Sequence, residues 1–162
     1  MTRKLEKLAF AAALLPFVMT LLNLGRLRRL PGLSRCGPVS VLIPARDEEE
    51  TIREAIETVL ASKGVELELI VLDDHSSDRT LDILRACNDP RLRVLQAPDL
   101  PEGWCGKTHA CALLAEAARH ELMLFVDADV RLRPDALGRL SALMLARPDI
   151  AFLRARTGGV VA

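Results

Sequence analysis

Three apolar runs that each lead into acidic residues limit the possible folds of this chain more than any other feature. The runs are VSVLIPARDEE (39–49), ELELIVLDD (66–74) and ELMLFVDAD (121–129). A continuous apolar stretch of this length is typical of a strand that is buried on both faces of a parallel sheet. Aspartate is rare in strands and adds nothing to a core, so we expect the acidic residues at the strand ends.

Helical patterns lie between these runs. Asp47 and Glu50 form a capping box, which predicts a helix that ends near Ala61. Pro134 suits the first position of a helix that ends near Ala146. The remaining predicted elements are helices over 78–86 and 106–119 and strands over 92–98 and 150–153. This alternation predicts an α/β fold with a mostly parallel sheet and helices on both faces.

The polar residues at the ends of the predicted strands are candidates for ligand binding, because ligands of parallel sheets bind beyond the carboxyl ends of the strands. The strand ends read PARDE (44–48), DDHS (73–76) and DAD (127–129). If the last strand continues through Asp127 and Asp129, both side chains point to one side and can hold Mg²⁺ or Mn²⁺ on a nucleotide's phosphates. The alternative is that these two aspartates begin a loop and cap a turn.

A second candidate site is the predicted helix start within GWCGKT (103–108). Lysine is unfavourable at a helix N-terminus unless an anion is present, so Lys107 is a candidate phosphate ligand. The alternative is an exposed lysine in a loop. GxxGKT followed by LMLFVDAD also imitates the two motifs of a P-loop NTPase. However, Pro101 stands where a P-loop needs glycine, and an irregular stretch (99–105) separates strand from helix.

An uncharged apolar segment, 8–24, lies between two clusters of basic residues. Its length is at the lower limit for a membrane-spanning helix, and we interpret residues 1–30 as a membrane anchor. The alternatives are a signal peptide or an interfacial or soluble helix. A slight excess of positive charge after the segment favours a cytoplasmic position for the rest of the chain. Residues 31–38 (PGLSRCGP) read as a linker.

Charge and aromatic content argue against a nucleic-acid partner. The 22 lysines and arginines balance the 22 aspartates and glutamates, so no bulk positive charge attracts phosphate backbones. Only one tryptophan, four phenylalanines and no tyrosine are available for base stacking.

Four segments together resemble family 2 of the inverting glycosyltransferases, which have the GT-A fold. They are VSVLIPARDEE, ELIVLDDHSSDRT, GWCGKTHACALLAEAA and LMLFVDADVRLRPDAL, and they occur in the family's order and spacing. The resemblance implies that residues 39–162 are a partial domain of this family, the half that binds a nucleotide-sugar donor. The anchor and the GWxGK motif are similar to enzymes that glycosylate carotenoids, hopanoids or other lipids, which implies a lipid or glycan acceptor.

The resemblance also implies roles for individual residues. The 44–48 turn would line the nucleoside pocket, Asp74 would hydrogen-bond a uracil-type base, and Asp127 with Asp129 would form the metal-binding DxD motif. The expected nucleotide-sugar-binding residues are Pro44, Ala45, Arg46, Glu48, Asp73, Asp74, Gly106, Lys107 and Asp127. We expect Asp129 to be the more direct ligand of Mg²⁺ or Mn²⁺.

In this family an acceptor hydroxyl displaces the nucleoside diphosphate from the sugar's anomeric carbon with inversion. The resemblance implies a nucleotide-sugar donor, and we expect a UDP-sugar. The carboxylate base that deprotonates the acceptor belongs to the acceptor half, so no catalytic base is expected within this chain. We therefore expect the chain to be a fragment that is inactive alone. The alternatives are a P-loop-like NTPase or a nucleotidyltransferase; the latter would carry a glycine- and arginine-rich loop after the first strand.

Overall fold

The computed structural model describes residues 16–22 and 36–147. Residues 16–22 are helical (α1), and the Thr20 hydroxyl donates a 2.8 Å hydrogen bond to the Pro16 carbonyl. Within these two described ranges, no helix is long and apolar enough to cross a membrane. Most of the predicted anchor and linker and the predicted strand over 150–153 lie outside the described residues.

Four parallel strands form one sheet in the order β3-β2-β1-β4. They are β1 (Val39–Ala45), β2 (Leu67–Asp73), β3 (Leu92–Gln96) and β4 (Leu122–Phe125). The first strand therefore lies in the middle, with successive strands added on one side and β4 on the other. The strand order reverses between β1 and β4, and a crevice opens at such a point beyond the carboxyl ends of the strands.

Helices cover both faces of this sheet, as predicted. They are α2 (Ile52–Leu60), α3 (Thr80–Arg85), α4 (Gly106–Ala117) and α5 (Ala136–Ala146). Alternate residues of β1 explain the two layers: Val41 and Ile43 pack in one core cluster with α2, α3 and α5. Leu42 lies in a second cluster with Leu114 of α4. Burying each large apolar side chain contributes about 1.5–3 kcal/mol, so both layers stabilise the sheet.

Three local predictions were wrong. The β4 strand ends at Phe125 and does not continue through Asp129. The chain turns instead, and the Val130 N–H donates to the Asp127 carbonyl at 3.0 Å. The Val126 N–H still donates to the Leu42 carbonyl of β1 at 2.9 Å, and the chain leaves β1 after this bond although β1 itself continues to Ala45.

The predicted capping box also does not form. Helix α2 has Thr51 at its N-cap position, without a side-chain cap hydrogen bond. Asp47 lies outside the helix with φ of 53°, in the left-handed region that aspartate tolerates better than most residues. Its carboxylate accepts a hydrogen bond from a different loop instead. Helix α5 likewise begins at Ala136, after Pro134, with Asp135 as N-cap.

A buried carboxylate links α4 to the sheet. Glu68 of β2 is 6% exposed, and its Oε1 accepts hydrogen bonds from Ser40 Oγ at 2.7 Å and from the Arg119 N–H at 2.6 Å. Arg93 Nη1 donates to Oε2 at 3.2 Å and to the Ala117 carbonyl at 2.9 Å. Burial raises the pKa of Glu68, but the hydrogen bonds from Ser40, Arg119 and Arg93 outweigh it, so the pKa lies below its ordinary 4.5. The end of α4 is thereby fixed against β2.

Candidate functional site

A pocket of about 530 Å³ opens at the carboxyl ends of the strands, where the strand order reverses. It is lined by Pro44, Ala45, Arg46, Glu48, Asp74, Gly106, Lys107, Ala110, Asp127, Ala128 and Asp129. These residues come from the ends of β1 and β2, from the first turns of α4 and from the turn after β4. The fold thus brings together segments that are far apart in the sequence, in a volume typical of small-molecule sites.

The loops after β1 and β2 are tied together by hydrogen bonds that we call the clamp. Three consecutive backbone N–H groups donate to side-chain oxygens: Asp47 to Ser76, Glu48 to Thr80 and Glu49 to Asp78, at 3.0, 2.8 and 3.0 Å. In the opposite direction, Asp47 Oδ1 accepts from the Ser77 N–H at 2.7 Å. The clamp fixes the backbone that presents Arg46 and Glu48 to the pocket.

Helix α4 begins against the end of β2. A Cβ atom added to Gly106 would lie 3.2 Å from Asp74 Oδ2, closer than most Cβ contacts, so the absent side chain permits this approach. The N–H groups of Thr108 and Lys107, and then the Thr108 hydroxyl, lower the pKa of the exposed Cys105 thiol below its ordinary 9.0. A thiolate is an anion, so the start of α4 stabilises negative charge beside the pocket.

Lys107 and Asp127 form an ion pair in the pocket, with Nζ 2.7 Å from Oδ1. Both side chains are well exposed, at 67% and 48%, so solvent screens the pair. The hydrogen bond that Lys107 donates to Asp127 raises the pKa of Lys107 above its ordinary 10.5, and the charge of Asp129 adds to the effect. Burial raises the pKa of the neighbouring Cys111 thiol. At neutral pH the site therefore holds one firmly protonated ammonium.

The same pocket is lined by four acidic residues, Glu48, Asp74, Asp127 and Asp129. Arg46 lies 3.9 Å from Asp74 Oδ2 and partly neutralises it. Among the described residues, no group of three or more His, Cys, Asp or Glu side chains is arranged to hold a metal by itself. Two aspartates are nevertheless sufficient for Mg²⁺ or Mn²⁺ when phosphate oxygens and water complete the coordination. The donor set therefore fits a metal that binds together with a phosphorylated ligand.

One residue expected to bind the ligand lies elsewhere. Asp73 is 2% exposed and does not line the pocket, and its Oδ1 has no hydrogen-bond partner in the part of the chain that the structure describes. Its backbone carbonyl accepts from the Ala97 N–H at 2.9 Å. Conversely, Ala110 and Ala128 line the pocket but were not predicted. Ala110 lies one helical turn after Gly106, which is the signal that could have found it.

The fold and pocket together define an α/β domain of the kind that binds nucleotides at its strand ends. The particular family follows from sequence comparison. Residues 40–160 match glycosyl transferase family 2. Because that match covers most of the chain, this protein belongs to glycosyl transferase family 2.

Curated relatives agree with this assignment. The chain is 36% identical over 121 residues to the succinoglycan biosynthesis protein ExoO of Rhizobium meliloti (strain 1021), covering 75% of this chain and 32% of that protein. It is 36% identical over 94 residues to 4,4'-diaponeurosporenoate glycosyltransferase of Staphylococcus haemolyticus (strain JCSC1435), covering 58% and 24%. The chain thus spans about a third or less of the length of these relatives.

Solved structures show the same fold. Residues 1–349 of S. aureus TarS in complex with UDP-GlcNAc align with a TM-score of 0.58 at 28% identity, over 68% of this chain and 32% of that one. The mannosyltransferase PcManGT from Pyrobaculum calidifontis, in complex with GDP-Man and Mn²⁺, aligns with a TM-score of 0.61 at 23% identity, over 84% and 43%. The first of these is similar in sequence as well, and the second shows the fold alone. The parallel sheet described above is consistent with a GT-A fold.

Proposed function

We propose that this chain is the donor-binding part of a glycosyltransferase that transfers a sugar, with inversion, from a nucleoside-diphosphate donor such as a UDP-sugar. The observation that carries the proposal is the pocket at the strand ends, which combines two cationic side chains with four carboxylates. A nucleotide sugar needs both kinds of group, because its diphosphate is anionic and its base offers N–H donors. Family membership and the similarity to TarS, solved with UDP-GlcNAc, support the choice of donor class.

The pocket offers a partner for each part of the donor. Lys107 and the first N–H groups of α4 suit the diphosphate, because a helix N-terminus and an ammonium both attract phosphate. Asp74, at the end of β2, accepts hydrogen bonds and suits the N–H of a uracil-type base. Asp127 and Asp129 would hold Mg²⁺ or Mn²⁺, which supplies positive charge against the departing diphosphate.

The proposal extends to properties of the whole enzyme. Residues 1–30 would anchor it in the inner or plasma membrane, with residues 31–38 as linker and residues 39–162 in the cytoplasm. The acceptor would be a lipid or a glycan presented at the membrane. The base that deprotonates the acceptor hydroxyl would belong to the acceptor half of the enzyme. The similarity to a glycosyltransferase named for a carotenoid acid supports a lipid acceptor.

Calorimetric titration tests the donor proposal. UDP would be titrated into the full chain in detergent with Mn²⁺, and the experiment repeated with Asp129→Ala. We expect metal-dependent UDP binding that the substitution weakens at least tenfold, because it removes a charged metal ligand. Asp82→Ala on α3 is the matched control, since Asp82 is exposed and does not line the pocket, and it should bind like the wild type.

Titrations with GDP and ATP test the choice of nucleotide. Binding of GDP in preference to UDP would be consistent with a glycosyltransferase whose donor is a GDP-sugar in place of a UDP-sugar. Binding of ATP in preference to both would contradict the proposal and favour an NTPase. The structure argues against the latter, because residues 97–105 separate β3 from α4, whereas a P-loop joins its strand directly to its helix.

A further inference from the structure

Lys107 and the metal proposed above require the same oxygen. Lys107 Nζ lies 2.7 Å from Asp127 Oδ1, a hydrogen-bonded ion-pair distance. A divalent cation on that oxygen would stand next to the ammonium, and two cations at such a separation repel each other strongly. Mn²⁺ can therefore bind Asp127 fully only if Lys107 withdraws from the carboxylate.

A diphosphate bound at the N-terminus of α4 would give Lys107 a second partner. The first turn of α4 contains no acidic residue, so a lysine at this end of the helix opposes the helix dipole without compensation. Asp127, from the turn after β4, provides that compensation. A diphosphate at the N-terminus of α4 would provide it too, with two negative charges in place of one.

We propose that Lys107 exchanges Asp127 for the donor's diphosphate, so that nucleotide binding releases Asp127 to the metal. The inference rests on the proposed donor function and adds a coupling to it: metal and nucleotide each raise the affinity for the other through this one side chain. By linkage, the factor by which UDP tightens Mn²⁺ binding equals the factor by which Mn²⁺ tightens UDP binding. Lys107 acts as a positioning residue, because it works by occupying or freeing Asp127.

The test measures Mn²⁺ and UDP affinities separately and together, on the wild-type chain and on Lys107→Met in detergent. Free Mn²⁺ is followed by electron paramagnetic resonance and UDP by calorimetry. Methionine keeps most of the length of the side chain and removes its charge. We expect Lys107→Met to bind Mn²⁺ alone about twofold to fivefold more tightly, the range that an exposed ion pair is worth. We expect the same variant to bind UDP more weakly and to show a smaller coupling factor.

Two controls isolate the exchange. Lys63→Met removes an exposed lysine outside the pocket and should leave both affinities and the coupling factor unchanged. Lys107→Met with Asp127→Asn should lose the gain in Mn²⁺ affinity, because the released carboxylate is then absent. Matching far-UV circular dichroism spectra would show that each variant is folded.

The metal-alone measurement tests the competition between Lys107 and Mn²⁺ independently of the nucleotide result. If Lys107→Met binds Mn²⁺ no more tightly than the wild type, or more weakly, Lys107 does not compete with the metal and the exchange is wrong. If the gain appears but no chain binds UDP, GDP or another nucleotide, competition is established while the donor function and the coupling both fail. A gain in Mn²⁺ affinity with an unchanged coupling factor would also overturn the exchange.

Discussion

At the residue scale, the start of α4 can be probed through Cys105. Its thiol is exposed, and its pKa lies below the ordinary 9.0 because the N–H groups of Thr108 and Lys107 stabilise the thiolate. The thiolate is the reactive form, so a lower pKa means more reactive thiol at a given pH. Burial raises the pKa of Cys111, so a smaller fraction of this thiol is ionised at a given pH.

We therefore expect iodoacetamide to alkylate Cys105 before Cys111, with a rate whose pH midpoint lies below 9.0. Peptide mass spectrometry after timed quenching measures both sites, and Cys105→Ser should remove the fast reaction. UDP with Mn²⁺ should slow it, because a diphosphate at the same helix end raises the thiol pKa and restricts access. Equal rates at Cys105 and Cys111 would contradict this description of the electrostatics.

The sequence predicted many of the pocket residues but not their pairing. Asp74, Lys107 and Asp127 were expected at strand and helix ends, and they line one pocket because a parallel sheet brings those ends to one edge. The contact between Lys107 and Asp127 joins residues from α4 and from the turn after β4, so only the packed fold reveals it. Asp73 could not be separated from Asp74 by residue type; Asp73 is the last residue of the fully buried strand β2, whereas Asp74 follows the strand and lines the pocket.

At the element scale, α4 is held at its far end by the Glu68 carboxylate. The pKa of Glu68 is lowered in the folded chain, so the unfolded chain binds more protons as the pH falls toward 4.5. The stabilising contribution of this carboxylate is complete above that pH and is lost as the pH falls through the folded value.

We expect Glu68→Gln to reduce the free energy of unfolding by about 1–3 kcal/mol at pH 7, because it removes a buried charge that accepts several hydrogen bonds. The difference from the wild type should shrink as the pH falls below 4.5. Guanidinium denaturation at a series of pH values measures this. Glu66→Gln, an exposed neighbour, is the control and should follow the wild-type curve. A pH-independent difference would mean that the charge does not matter.

The strands were easier to predict than the turns. The continuous apolar runs located β1 and β2 nearly to the residue, since burial on both faces leaves a strong signal. The end of β4 was missed because it depends on where the chain turns away from β1, which itself continues to Ala45, and this turn is not a local property of the apolar run. The capping box was wrongly predicted for a similar reason. The Asp47 carboxylate accepts a hydrogen bond from Ser77 in another loop, and the sequence around Asp47 alone does not reveal this partner.

At the scale of the whole molecule, the two core layers share one sheet, so lost packing in either layer should destabilise the whole sheet. Leu114 of α4 is fully buried against Leu42 and Ile70. We expect Leu114→Ala to lower the free energy of unfolding by about 2–5 kcal/mol through lost burial and a residual cavity. Leu100→Ala, at a site that is 50% exposed, should change it by less than about 1 kcal/mol.

Thermal and denaturant unfolding of both leucine variants measures the difference. Circular dichroism would follow the helices, and the fluorescence of Trp104, which packs edge-on against His109 at 5.5 Å, would follow the start of α4. The two probes should give the same midpoint. Separate midpoints would show that α4 unfolds independently of the sheet.

The central position of β1 also has a consequence during synthesis. β1 is the first strand of the sheet to be made, and it must pair with β2 on one side and with β4 on the other. Its second edge has no partner until Leu122–Phe125 leaves the ribosome. At synthesis rates of about 5–20 residues per second, a nascent chain carries an open apolar strand edge for several seconds. Chaperone capture of the nascent chain would be most useful in that interval.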